Sequence, residues 1–167
     1  MFSTVSAQIQ VIDLTADVRV GFRCVANRTV DIIVIHSTHC VGVDTFSINC
    51  VMEQFKEYNV SAHYVIGRDG QIYQLVKETD IAFHAGKSEL PGTQRKNLNT
   101  SSIGIEIINT PHTPPAKEQY EALVNLVKDI QKRYEIKYIV RHSDIAPDRK
   151  TDPWLFDWDT FITQLKD

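Results

Sequence analysis

Two histidines and one aspartate carry the first chemical suggestion. Ile33-Val34-Ile35-His36 and Tyr138-Ile139-Val140-Arg141-His142 each read as a strand that runs into a histidine at or just past its C-terminal end. In mixed α/β sheets that edge is where ligand sites assemble. Ten residues after His142, Arg149-Lys150-Thr151-Asp152-Pro153 brings a carboxylate. Two imidazoles and a carboxylate with an open fourth position form the ligand set of a catalytic zinc. The histidines are not a helical pair, so the metal reading needs the fold to bring distant strands together. A strand-end histidine also serves as a hydrogen-bonded structural residue, and Asp-Pro is common turn chemistry.

Glu106 is the sharper clue. In Ile103-Gly104-Ile105-Glu106-Ile107-Ile108 the alternation sets three isoleucines on one face and Gly104, Glu106 and Ile108 on the other. A carboxylate in mid-strand is costly unless it is paired or coordinated. Desolvation raises its pKa, which suits a general acid or base near neutrality. An edge strand whose polar face meets water fits the same pattern equally well.

The elements that must position these groups are legible in outline. Ala7–Leu14 reads as a strand, and Ile32–Ile35 is a β-branched run that fits a strand buried on both faces and ending at His36. Residues 45–58 carry apolar side chains loosely at helical spacing. Ala62–Ile66, Arg68-Asp69-Gly70 and Gln71–Val76 form a hairpin pattern, because Asp-Gly supplies the positive φ of a tight turn. Residues 84–101 read as a long loop, a kind that is often functional. Ser102–Ile108 follows as a strand. Thr113-Pro114-Pro115 opens a helix with a capping side chain and a proline at its first position, and its stripe is Tyr120, Leu123, Val124, Val127, Ile130 and Tyr134. A strand at Tyr138–Val140 and a short helix from about Asp157, burying Trp158, Phe161, Ile162 and Leu165, complete the chain. The expectation is a single α/β domain over 1–167, with a mixed central sheet flanked by helices.

Composition bounds the function. The chain has 167 residues, 43% of them hydrophobic, which suffices for one buried core and excludes a disordered chain. With 18 basic and 21 acidic residues the formal net charge is −3, and no basic face advertises nucleic-acid binding. No apolar run is long enough to span a bilayer. Met1–Gln8 lacks a basic stretch followed by an apolar one, so no secretory leader is read there and a cytoplasmic location is expected. Cys24, Cys40 and Cys50 sit at no metal or redox spacing and read as free thiols.

Taken in order, the words His36-Ser37-Thr38, Ser61-Ala62-His63-Tyr64-Val65-Ile66, Arg68-Asp69-Gly70, Phe83-His84-Ala85-Gly86, Asn99 to Glu106 and His142 to Pro153 resemble the amidase-2 family of zinc-dependent N-acetylmuramoyl-L-alanine amidases. Within it, the AmpD-type 1,6-anhydro-N-acetylmuramoyl-L-alanine amidases of cell-wall recycling are the most similar. The resemblance covers about residues 31–158 and implies the amidase-2, peptidoglycan-recognition-like fold. It implies Zn²⁺ as cofactor, with His36, His142 and Asp152 as ligands, and Glu106 and Lys150 as catalytic residues. Asn99, His84 and Arg68 are expected near substrate, with Arg95 a further cationic candidate for the rim. The implied partner is an anhydro-muropeptide or a peptidoglycan fragment, and the implied reaction is hydrolysis of the amide between N-acetylmuramic acid and L-alanine. Where many relatives have Asp-Pro-Gly-Pro, this chain has Asp152-Pro153-Trp154-Leu155, and Phe83 replaces a common tryptophan. Two rival functions fit less well: a non-catalytic muropeptide-binding module, which typically lacks one ligand, and an exported amidase that cuts intact wall.

Overall fold

The isoleucine-rich run at Ile32 forms a strand buried on both faces because a neighbouring strand pairs along each of its edges and packed layers cover it above and below. A computed structural model describes residues 9–167, so Met1–Gln8, read for a leader, and the first positions of the expected 7–14 strand lie outside the described residues. The first half of the chain contains β1 (Val11–Asp13), β2 (Phe22–Arg23), β3 (Ile32–Thr38), α1 (Ile48–Tyr58), β4 (Tyr64–Ile66), β5 (Ile72–Gln74) and β6 (Ile81–Ala82). A long loop with one 3₁₀ turn at Leu98–Ser101 leads to β7 (Ser102–Ile108), α2 (Lys117–Gln131), β8 (Tyr138–Arg141), α3 (His142–Ile145) and α4 (Trp158–Lys166).

The main sheet runs β1-β5-β4-β7-β3-β8. Only β4 and β5, the two arms of the hairpin, pair antiparallel; the other neighbours are parallel. This is the mixed sheet with flanking helices that the sequence predicts. A two-stranded ribbon of β2 and β6, not foreseen from the sequence, stands beside it.

Period-two alternation divides the sheet into two unlike faces. Ile33, Ile35, Ile103, Ile105 and Ile107 point into one core, where Leu123, Val124, Val127 and Ile130 of α2 and Phe161 of α4 cover them. Each such side chain contributes about 1.5–3 kcal/mol on full burial. The other face holds two smaller clusters, one under α1 around Val51, Phe55 and Val65, and one around Ile32, Val34, Ala85 and Leu98. His36, Ser102, Gly104 and Glu106 belong to this second face.

Three expectations need correction. β3 does not end at His36 but continues to Thr38, because β7 keeps pairing with it as far as Ile108. α2 begins at Lys117 rather than at Thr113. Thr113 instead closes a tight turn with Thr110, and the consecutive prolines disfavour helical geometry in the residue before each of them. Gln119 then reaches back to accept the Ala116 N–H at 2.9 Å. Finally, Cys40 and Cys50 are disulfide-bonded, and only Cys24 is free. The turn after β3 and the first turn of α1 bring their Cα atoms to 5.6 Å, a proximity that a separation of 10 residues does not announce. No helix is long and apolar enough to cross a membrane among the described residues.

Candidate metal centre

β3 and β8 lie side by side and parallel, with Ile35 opposite Arg141. This register carries His36 and His142, 106 positions apart in sequence, to the same end of the sheet, with their Nδ1 atoms 2.9 Å apart. The loop after α3 returns Asp152 to the pair: its Oδ2 lies 3.1 Å from His142 Nδ1 and 3.6 Å from His36 Nδ1. Backbone contacts hold that loop in place. The Ser37 N–H donates to Asp152 Oδ2, the Trp154 N–H donates to Ser37 Oγ, and the Ser143 N–H donates to the Asp152 carbonyl.

All three groups are buried, and their donor atoms lie within 4.8 Å of one another, a grouping able to hold a metal ion. Burial, and then the neighbouring His142, lower the His36 pKa to about 4, which leaves an imidazole lone pair free at neutral pH. Burial alone would raise the Asp152 carboxyl, but the two imidazoles beside it, His142 first and then His36, hold it well below the usual carboxylate range. Two imidazoles and a carboxylate converging at one point fit the nitrogen and oxygen donor set of zinc with one position open.

Glu106 sits directly across from His36 in the β3–β7 register. Its Oε2 is buried without a hydrogen-bond partner. Burial, reinforced by Asp152, raises its pKa well above the ordinary value, and Lys150 opposes that rise. Lys150 also acts on His36, which places its charge at the same site. The arrangement combines a metal-type donor set, a desolvated carboxyl able to take up and release a proton, and the nearby charge of Lys150.

Other expected residues are engaged differently. His84, 8% exposed, lies beneath His36 with its Nδ1 2.9 Å from His36 Nε2. The Asn99 side chain accepts the His84 and Ala85 N–H groups at 3.2 and 2.8 Å. Arg68 donates to the Pro114 carbonyl and Gln119 Oε1 and lies over the Phe46 ring, fastening the hairpin turn to the start of α2. Arg95 pairs with Asp31, at the opposite end of β3 from His36, so it does not serve the rim. His63, expected to be structural, accepts the Gly104 N–H at Nδ1 and reaches the Asp80 carbonyl through Nε2. His39 stands apart against Trp154, and His112 is exposed. Ser102 and Gly104 were not singled out from the sequence, although the alternation that exposes Glu106 places both on its face.

Comparison with known proteins gives the family of the chain. Residues 26–154 match the family described as N-acetylmuramoyl-L-alanine amidase. The 1,6-anhydro-N-acetylmuramyl-L-alanine amidase AmpD of Enterobacter cloacae is 44% identical over 109 residues, covering 64% of this chain and 57% of that protein. A crystal structure of an AmpD selenomethionine derivative superposes with a TM-score of 0.72 at 30% identity, over 87% of this chain and 90% of that one. The complex of the amidase AmiD from E. coli with the substrate anhydro-N-acetylmuramic acid-L-Ala-D-γ-Glu-L-Lys gives 0.71 at 34% identity, over 83% and 58%. The match spans between half and two-thirds of the length of curated relatives such as AmpD and AmiD. Its core strands, its site-bearing words and the extent of the match make this chain a member of the N-acetylmuramoyl-L-alanine amidase family.

Proposed function

We propose that the chain is a zinc-dependent amidase that cleaves the bond between N-acetylmuramic acid, in its 1,6-anhydro form, and the L-alanine of a muropeptide, as in peptidoglycan recycling. The observation that carries this reading is the unpartnered Glu106 carboxyl beside the His36, His142 and Asp152 cluster. A zinc ion held by those three residues would supply Lewis acidity, which eases deprotonation of water and polarises a carbonyl. Glu106 takes a proton from the attacking water as its oxygen bonds to the lactyl carbonyl carbon. Lys150 stabilises the negative charge that develops on the carbonyl oxygen. As the C–N bond breaks, Glu106 returns the proton to the departing alanine nitrogen. A binding module without catalysis would not need a buried carboxyl oxygen left without a hydrogen-bond partner beside the metal donors.

A second reading draws on one observation. Disulfides persist in oxidising compartments, and the Cys40–Cys50 bond therefore favours an exported enzyme acting on intact wall over a cytoplasmic one acting on released fragments. Incubating the purified chain with anhydro-muropeptides and with polymeric sacculi tests both. Release of peptides bearing a free L-alanine amine from the fragments alone supports the recycling role. Release from sacculi supports the second reading, and release from neither overturns the amidase assignment. Cell fractionation with thiol labelling of Cys40 and Cys50 decides the location.

A further inference from the structure

The two imidazoles of the metal centre are backed by one dipeptide. His36 Nε2 lies 2.9 Å from His84 Nδ1, and His84 Nε2 lies 3.1 Å from Ser102 Oγ. Ser102 Oγ is also 2.7 Å from the Leu98 carbonyl, which can only accept, so the single hydroxyl proton goes there. Ser102 must then accept from His84 Nε2–H. That leaves His84 Nδ1 without a proton, and it accepts from His36 Nε2–H. The consequence is a bare His36 Nδ1 aimed at His142 and Asp152. On the other side, His142 Nε2 faces the Ala85 carbonyl at 3.3 Å and donates to it, which leaves its Nδ1 bare as well. Behind the dipeptide, Asn99 holds both N–H groups and Arg149 Nη2 donates to the Ala85 carbonyl at 2.7 Å. Gly104 makes room for the ring, since a Cβ there would overlap His84.

We infer that His84–Ala85 is the positioning element of the metal centre: the His84 ring and the Ala85 carbonyl set the tautomer and orientation of His36 and His142, with Ser102 and Asn99 as their anchors. This rests on the zinc reading above and assigns His84 and Asn99 to the ligands rather than to substrate. Partners of this kind typically alter metal affinity about 10–100-fold.

The test combines nitrogen-15 NMR of the histidine rings with Zn²⁺ affinity measured against a competing chelator. In the zinc-loaded wild type, His36 and His84 should both carry their proton on Nε2. His84→Asn keeps an acceptor near the Nδ1 position and should hold Zn²⁺ within several-fold of wild type. His84→Gln places its amide near the Nε2 position instead, and should weaken binding by about 10–100-fold. Equal losses in the two variants would assign His84 to packing alone and overturn the inference. If the variants fail to fold, the wild-type spectrum decides, and a proton on His84 Nδ1 overturns the inference while leaving the metal centre intact. A wild type that binds no Zn²⁺ overturns the metal centre itself.

Discussion

His36 and Glu106 are register partners across the parallel pair β3 and β7, and both side chains leave the same face of the sheet. A metal-type imidazole and an unpaired carboxyl are thereby fixed at neighbouring positions by backbone pairing alone. Rigid placement of this kind is what a proton-transferring group needs. Glu106→Gln preserves shape without accepting a proton. It should lower kcat by roughly 10²–10⁴ while zinc stays bound. Near wild-type turnover would make Glu106 a structural residue.

Removal of the metal should act on the whole centre. Chelation is expected to abolish amidase activity and added Zn²⁺ to restore it. The purified protein should hold zinc in stoichiometric amount, and His36→Ala, His142→Ala or Asp152→Ala should lose most of it. Full activity in exhaustively metal-free protein would refute the zinc requirement.

Lys150 precedes Asp152 by two residues in the loop that carries the third ligand, and its charge is felt at Glu106 and His36. A cation held near the carbonyl oxygen would stabilise charge that exists only in the transition state. Lys150→Ala should keep fold and zinc while kcat falls by about 10²–10³ and KM changes less. A surface lysine would instead cost only about 0–1 kcal/mol of stability on removal. Steady-state kinetics beside a melting curve distinguishes the two.

His63 predicts an acid-sensitive fold. Its ring is fully buried, and burial followed by the charge of Arg28 lowers its pKa from 6.5 to about 3. Between those values the unfolded chain binds the proton that the native ring refuses. The contribution is therefore complete above about pH 6.5 and is lost progressively as pH falls toward 3, by at most about 1.4 kcal/mol per pH unit. Denaturant titrations of metal-free protein at several pH values should show a shallower slope in His63→Gln than in wild type. Parallel slopes would contradict a neutral buried ring.

Gly104 offers a test of close packing. An added Cβ would meet the His84 ring, so Gly104→Ala should destabilise the fold by about 1–3 kcal/mol. Because His84 touches His36, zinc affinity should fall as well. An unchanged melting temperature would show that the ring can move aside.

Local patterning reaches far in this chain. The isoleucine runs of β3 and β7, the Asp-Gly turn before β5 and the apolar stripe of α2 are properties of consecutive residues, and each appears where the sequence puts it, except that α2 ends at Gln131 and leaves Tyr134 beyond the helix. The start of α2 is less legible, because Thr113 is used in a turn with Thr110 before it can cap a helix. The types of the metal donors and the exposure of Glu106 on one strand face are also sequence properties. Consecutive residues therefore set the order of elements and the chemistry each can present.

How those groups meet depends on strand pairing over long separations. The order β7-β3-β8 carries His142 to His36, and the return of Asp152 to Ser37 crosses 115 positions. Whether Glu106 meets water or a buried site depends on which strands flank β7, and β3 and β4 on its two sides make it interior. Packing also joins Cys40 to Cys50 and sets His84 against His36. Side-chain periodicity is set within a few residues of chain. The pairing of distant strands is set by burial of the whole sheet, and only that pairing selects the atoms that come within bonding distance.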